Sequence, residues 1–336
     1  MATQQGVHLQ QAVQAAYVPR GRRGIGERYI QYWLILPALL TMCAVLIYPL
    51  GYSFWISFFD WTITSLEHPF IGVRNYTEAL SSSASQFIFL QNIAFTIICI
   101  ILEFIIGIAL ALLLARKFVG RSLARTLLIL PMLTAPVLAG FNFRWIFNDR
   151  FGLANQLLIQ VGLQPQAWLA DANLARVVII MVRIWQGIPF MMLLLLAGIE
   201  SLPTSPFEAA IVDGATAWQR FLHITLPLLR PIIVVAVSLL VIDLFRTFDT
   251  IYIMTFGGPG HATELLPFYI YRAAFSSGRF GYASALSYIT LAPSRVGSIF
   301  VARAKAASAA GIMNPPFGAA LMALGASGFR RKVKVS

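Results

Sequence analysis

Five apolar runs, near residues 33–58, 88–114, 127–147, 177–198 and 232–255, limit what this chain can become. Each is long enough to cross about 30 Å of hydrocarbon, which takes roughly 20 helical residues. Within a bilayer the backbone must satisfy its own N–H and C=O groups, so runs of this length point to helices. Composition agrees: 58% of the 336 residues are hydrophobic and only 11% charged, where a soluble domain carries about 25%. The expected fold is an all-α integral membrane protein, a polytopic helical bundle. The third run contains Pro131, Pro136 and Gly140. Such residues kink membrane helices, either for packing alone or as part of a gate.

The net charge of +12 would suggest a nucleic-acid partner in a soluble protein. In a membrane chain, basic loops on one side account for it, with lipid rather than nucleic acid as the surroundings. The N-terminal tail (Arg20, Arg22, Arg23, Arg28) and the 115–126 loop (Arg116, Lys117, Arg121, Arg125) hold four basic residues each. The 59–87 loop sets Arg74 against Asp60, Glu67 and Glu78, and the 148–176 loop has Arg150 and Arg176 as its basic residues. The positive-inside rule then puts the N-terminus in the cytoplasm. Counting spans puts the 199–231 loop on the same side. Residues 1–32 read as a disordered basic cytoplasmic tail, without the apolar core of a cleaved secretion signal.

No catalytic constellation is apparent. Cys43 and Cys99 lie inside apolar runs, so neither a disulfide framework nor a metal site is indicated. His8, His68, His223 and His261 are scattered, with no carboxylate at ligand spacing. Gly257-Gly258-Pro259-Gly260 is a turn rather than a phosphate cradle, because a P-loop needs the G-x-x-x-x-G-K-[ST] string. No cofactor is expected, and any hydrolysis belongs to a partner.

The loop from Phe207 to Pro231, FEAAIVDGATAWQRFLHITLPLLRP, is more elaborate than a connection requires. Ser205, Pro206 and Glu208 read as an S-x-x-E capping box with proline at the helix start. Asp213-Gly214 supplies a turn, Thr216 and Gln219 repeat the box, and Pro227 is expected to close the second short helix. Such a helical knob suits a protein partner. This stretch resembles the EAA loop of membrane permease subunits of ABC importers, in their carbohydrate branch. The matching residues are Glu208, Ala209, Ala210, Asp213, Gly214, Ala215, Phe221, Ile224, Leu226, Pro227 and Pro231. The GGP turn, Thr263, Tyr271, Phe275 and Gly281-Tyr282-Ala283 look like the same family, so the resemblance covers roughly residues 30–289.

The resemblance implies a subunit that forms half of a translocation pathway for a sugar or related polyol. It implies an ATP-binding subunit dimer, a second permease and an extracytoplasmic solute-binding protein as partners, in the inner membrane. In that family the loop docks into a groove on the ATPase, which assigns coupling to Glu208, Ala209, Ala210, Asp213 and Gly214. It also implies about six spans. A final span should continue from Ala285, yet Pro293, Arg295, Arg303 and Lys305 fall where bilayer residues are due. Each basic residue there would cost about 2.5–3.5 kcal/mol at mid-bilayer. Residues 33–289 are therefore expected to form the permease domain, and 290–336 an atypical end such as a frameshift would leave.

Ionisable residues within spans are costly and suggest function by default. Glu103, Arg144, Arg183, Asp243, Arg246 and Asp249 qualify. Asp243, Arg246 and Asp249 are three apart, so on one helix they would share a face. They could neutralise each other or form a polar wall along a transport path. Glu103 could simply pair with a base on a neighbouring helix. In the family, polar and aromatic side chains at the positions of Arg183, Gln186, Gly187 and Phe190 touch the sugar. With Asp243, these are the candidate substrate-pathway residues. Arg183 departs from the amide of the family pattern and would suit an anionic or highly hydroxylated solute. An ion-coupled secondary transporter or channel is the alternative; broken half-helices and internal repeats would favour it, and the sequence shows no clear repeat. A membrane enzyme is disfavoured by the missing catalytic motif.

Overall fold

The computed structural model describes residues 25–291, so most of the tail and nearly all of the atypical end lie outside the described residues. The chain divides into two compact units between Trp55 and Ile56. The first is a helical rod. In it α1 (Ile25–Met42) passes through a π-helical turn, Cys43–Ile47, into α2 (Tyr48–Ile56). The stretch Tyr32–Ile56 is long and apolar enough to cross a membrane. The wide turn has a local cause in Pro49, which has no N–H and whose ring would press on the carbonyl four residues back. The N–H of Tyr48 reaches the Cys43 carbonyl instead, and the helix continues.

In the second unit α3 (Arg74–Ser81) leads into α4 (Ser83–Ala115). Next come α5 (Arg121–Leu133), α6 (Pro136–Ile146), α7 (Leu153–Gln160) and α8 (Ala172–Glu200). They are followed by α9 (Ser205–Val212), α10 (Ala217–Arg220), a π turn at Phe221–Thr225, α11 (Leu226–Leu244) and α12 (Asp249–Met254). Last are α13 (Leu266–Tyr271), a π turn at Arg272–Ser276, and a helix over 280–291. The described residues are thus helical throughout the spans, as expected.

The long helices α4 and α8 pack along each other and form the core, with α11 against α8. Cys99, Ala111 and Leu114 of α4 meet Val182, Met191, Leu195 and Leu196 of α8 in one buried cluster. Lipid tails are as apolar as leucine, so close van der Waals packing, favoured by small residues, must hold such helices together. A β-carbon on Gly107 would lie 2.7 Å from Met191 Cγ, and one on Gly198 would lie 2.6 Å from Ile232 Cδ1. Both glycines set how near the helices come. A smaller cluster ties Ala79 and Ile88 to Tyr269, Tyr282 and Leu286. There Arg279 bonds Glu78 at 2.7 Å and holds its carboxyl below the usual carboxylate range. In the neighbouring loop, burial pushes Glu264 up, against the opposing pull of Arg272 and His261.

Two of the five expected spans differ from the sequence reading. The third is not one rod: α5 and α6 meet at 95°. The fifth is displaced toward the N-terminus and runs from Ala217 to Leu244. Pro227 therefore does not close a short helix. It follows a π turn in which the N–H of Leu226 bonds the Phe221 carbonyl, the same accommodation as at Pro49. Because α11 ends at Leu244, Asp243, Arg246 and Asp249 do not share one helical face; Asp249 opens α12.

Candidate functional site

A cavity of about 690 Å³ lies where the α5–α6 break and the end of α11 meet α8. Met132, Thr134 and Pro136 come from the α5–α6 break, and Arg246, Thr247, Phe248, Asp249 and Thr250 from the α11–α12 break. Arg183, Gln186, Gly187 and Phe190 recur at helical spacing and so present one face of α8 to this space. Asp243 completes the lining, so all five substrate-pathway candidates stand around one cavity. A second cavity, of about 420 Å³ between α4 and α8, is lined almost wholly by apolar side chains such as Phe87, Leu90 and Ile179. It offers few groups to a hydroxylated molecule.

Bonds from neighbouring helices hold the two parts of the bent α5–α6 pair. The last carbonyls of a helix have no intrahelical partner. The Gln186 amide donates to the Thr134 carbonyl at 3.4 Å, and Arg144 donates to the Ile253 carbonyl at 2.9 Å. Gly140 lets α6 close on α12, since a β-carbon there would already be 3.2 Å from Ile253 Cβ. Arg144 is thus a structural clasp between the two half-helices.

Behind the cavity wall stands Glu103 of α4, wholly buried. Gly187 makes room for it, because a β-carbon at 187 would collide with the Glu103 carboxyl. Arg183 Nη1 is 3.8 Å from Glu103 Oε1, and Arg183 Nη2 donates to Asp243 Oδ2. Arg183 is only 7% exposed, whereas the Asp243 side chain is 70% exposed. Glu103 does have a base as its neighbour, and its oxygens accept no hydrogen bond among the described residues. Sequence reasoning missed Thr134, Thr247 and Phe248. The first lies between the flagged prolines, and the other two lie within the polar interruption Arg246–Asp249.

At the other end of α11 the 199–231 stretch folds as the short helix α9 and the first turns of the long helix that runs from Ala217 to Leu244. Gly214 has φ +75°. Its N–H bonds the Ile211 carbonyl at 3.1 Å, and the N–H of Ala215 bonds the Ala210 carbonyl at 2.9 Å. This pair of bonds is a Schellman closure of α9, which explains the glycine. The Thr216–Gln219 capping box is present in both directions. The box at Ser205 is not. Ser205 is already helical, and the cap position falls on Thr204, whose φ −79° and ψ −29° leave no side-chain capping bond. A capping side chain needs extended backbone there to reach the first turn. Ile211, Val212 and Trp218 expose apolar surface on the knob, Val212 to 86%.

The family model for the binding-protein-dependent transport system inner membrane component matches residues 103–308. The chain belongs to this family. It is 36% identical over 267 residues to the trehalose/maltose transport system permease protein MalF of Thermococcus litoralis, covering 79% of this chain and 89% of that one. It is 35% identical over 278 residues to the sulfoquinovosyl glycerol transport system permease protein SmoG of Agrobacterium fabrum, covering 82% and 90%. A bacterial ABC transporter involved in the import of the acidic polysaccharide alginate has the same fold, with a TM-score of 0.70 at 22% identity over 85% of this chain and 97% of that one. The protein is therefore a multi-pass inner-membrane translocation subunit of an ABC importer. It is not an enzyme, and ATP hydrolysis belongs to a separate subunit.

Proposed function

We propose that this permease carries a sugar or related polyol through the cavity at the two helix breaks, driven by an ATP-binding subunit dimer docked on the 199–231 loop. One observation carries the reading. The apolar span Ala217–Leu244 is continuous from the exposed knob to Asp243 at the cavity. At 1.5 Å per residue it is roughly 40 Å long, a lever between the two sites. The exposed Ile211, Val212 and Trp218 support docking, since a clustered apolar surface marks an interaction site. Glu208 stands in the first turn of α9, where it is free to meet a basic group on the ATPase. Ala209 and Ala210 keep the helix slim, and Asp213-Gly214 turns the chain so that α9 and the start of the Ala217–Leu244 helix enter one groove.

A second permease completes the pathway, and an extracytoplasmic binding protein delivers the solute. ATP binding closes the ATPase pair on the coupling loops and turns the cavity outward; hydrolysis resets it. Arg183, Gln186, Gly187, Phe190 and Asp243 form the solute's surroundings, with hydrogen-bonding groups beside an aromatic face. The names of the relatives support a sugar: trehalose and maltose in one case, sulfoquinovosyl glycerol in another. The basic tail and 115–126 loop support a cytoplasmic N-terminus. A topology reporter fused near Ser82 should report the outside, and a cytoplasmic signal there would overturn that orientation.

The coupling role is tested at Gly214 and Glu208. A β-carbon on Gly214 meets nothing within 4 Å, so Gly214→Val acts through its φ alone, at about 1–2 kcal/mol. Gly214→Val and Glu208→Lys should both insert normally yet lose ATPase co-purification or uncouple hydrolysis from uptake. Normal docking and normal uptake in both variants would refute coupling through this loop.

A further inference from the structure

The apolar cavity between α4 and α8 has a single charged side chain in its lining, Arg176. On α4 the wall is a stripe at helical spacing: Phe87, Leu90, Ala94 and Ile98. The small Ala94 leaves a hollow, and the larger Phe87, Leu90 and Ile98 around it are exposed. Ile179 and Ile180 of α8 and Ile251 of α12 complete the apolar wall. The stripe from Phe87 to Ile98 is about 16 Å long at 1.5 Å per residue. That is close to the depth of one leaflet, half of a hydrocarbon core of about 30 Å. Arg176 lies in the second turn of α8, at the end where the helix begins. Its Nε donates to the Ala262 carbonyl at 2.9 Å, and Gln91 donates to the neighbouring His261 and Glu264 carbonyls. Arg176 Nη1 donates to Asn173 Oδ1 at 3.2 Å, which leaves Nη2 to bind something else. Among the described residues Arg176 has no ion pair. The acids of the flanking turns are engaged elsewhere. Asp171 accepts from the N–H groups of Asn173 and Leu174, and Glu264 is held by His261 and Arg272.

We infer that this groove holds one acyl chain of a net-anionic phospholipid from the surrounding bilayer, with the lipid phosphate on Arg176. An arginine near the end of a membrane helix lays its stem along apolar surface and turns its head to the interface, where lipid phosphates lie. The guanidinium group suits a phosphate, since its planar fork offers paired N–H donors. The lipid charge then neutralises a cation that no carboxylate of the described residues pairs with. The apolar wall, one leaflet deep, takes the chain below that phosphate. Free phosphate would leave this wall uncovered, and a zwitterionic lipid would bring a second cation beside the guanidinium. The inference rests on the membrane placement of the chain and is independent of the solute's route.

The test uses the purified full importer in lipid nanodiscs. Phosphatidylglycerol or phosphatidylcholine with a photoreactive diazirine midway along one acyl chain is added in equal amounts, and labelled peptides are mapped by mass spectrometry. Label should appear in segments 87–98 and 176–180. Phosphatidylglycerol should be favoured there by about fivefold, the factor that corresponds to about 1 kcal/mol for one basic residue meeting anionic lipid. Arg176→Gln should bring the ratio close to one while labelling persists, and Arg176→Lys, which keeps the charge, should retain most of the preference. Ala94→Phe fills the hollow and should lower labelling of these segments by both lipids; it serves if Arg176→Gln does not assemble. Excess inorganic phosphate should leave the labelling unchanged, and competition by it would reassign Arg176 to a free anion and overturn the lipid. Equal labelling by the two lipids in the parent would also overturn the inference, as would a ratio unmoved by Arg176→Gln or labelling unmoved by Ala94→Phe. Unlabelled groove peptides beside labelled lipid-facing segments elsewhere would overturn it too, since a helix of another subunit covering the groove leaves that pattern. Solute uptake is not the readout, so each of these failures leaves the transport reading as it stands.

Discussion

The bend between α5 and α6 and the end of α11 lie at the same cavity but differ in their local chemistry. The α5–α6 break lies between Pro131 and Pro136, and Ala135 is extended at φ −58° and ψ 134° because a residue before proline avoids the helical region. The α11–α12 break, Phe245-Arg246-Thr247-Phe248, contains neither proline nor glycine. There the chain leaves the helix after Asp243 has paired with Arg183 of α8, and Phe248 turns into a stack with Tyr252 at 5.4 Å. One break is written into the backbone chemistry. The other follows directly on the pairing of Asp243 with Arg183 of α8. Conversely, Pro189 and Pro231 lie inside helices that do not break. Proline is therefore neither necessary nor sufficient for an interruption here.

If the ion pair holds the second break, removing it should have the largest effect on stability. Arg183→Leu leaves Glu103 buried without its counter-charge, which typically costs about 3–5 kcal/mol. The purified complex should show a clearly lower thermal midpoint. Replacing Glu103 as well should recover part of the loss, since an apolar pair needs no compensation in this core. A midpoint unchanged by Arg183→Leu would mean that the second break stands on packing alone, and the contrast between the two breaks would vanish.

Legibility in the sequence follows the same division. The spans at 83–115 and 172–200 and the Gly214 turn rest on local properties, apolar length and the freedom of glycine at positive φ, and were readable from the residues themselves. The Thr216–Gln219 box was readable for the same reason. The Ser205 box failed because capping depends on the backbone angle of the preceding residue, which a motif does not encode. The fifth span was misplaced because polar residues at 243–249 look tolerable within a long apolar run. In the fold, Asp243 pairs with Arg183 of α8 and the helix ends one residue later. The grouping of Arg183, Gln186 and Phe190 followed from helical spacing. Glu103 facing Arg183 across Gly187 depends on how α4 and α8 pack, which no local pattern records.

The smallest effect is expected at the break that looks most strongly specified. Pro136 lies in the first turn of α6, where its missing N–H would be unpaired in any case. Pro136→Ala widens the choices of the unfolded chain and should cost only about 0.4–1 kcal/mol. The bend itself has other supports: Gln186 on the Thr134 carbonyl, Arg144 on the Ile253 carbonyl, and Gly140 against Ile253. Spin labels at the exposed Leu127 and Phe141 bracket the break. A straight helix would put those positions about 21 Å apart along its axis at 1.5 Å per residue, and the 95° bend brings them closer. Pro136→Ala should leave the measured separation unchanged. A separation that lengthens to the straight value would show that proline alone makes the first break. Its tertiary clasps would then be consequences of the bend rather than its support, and the two breaks would differ in cause even more than their contacts suggest.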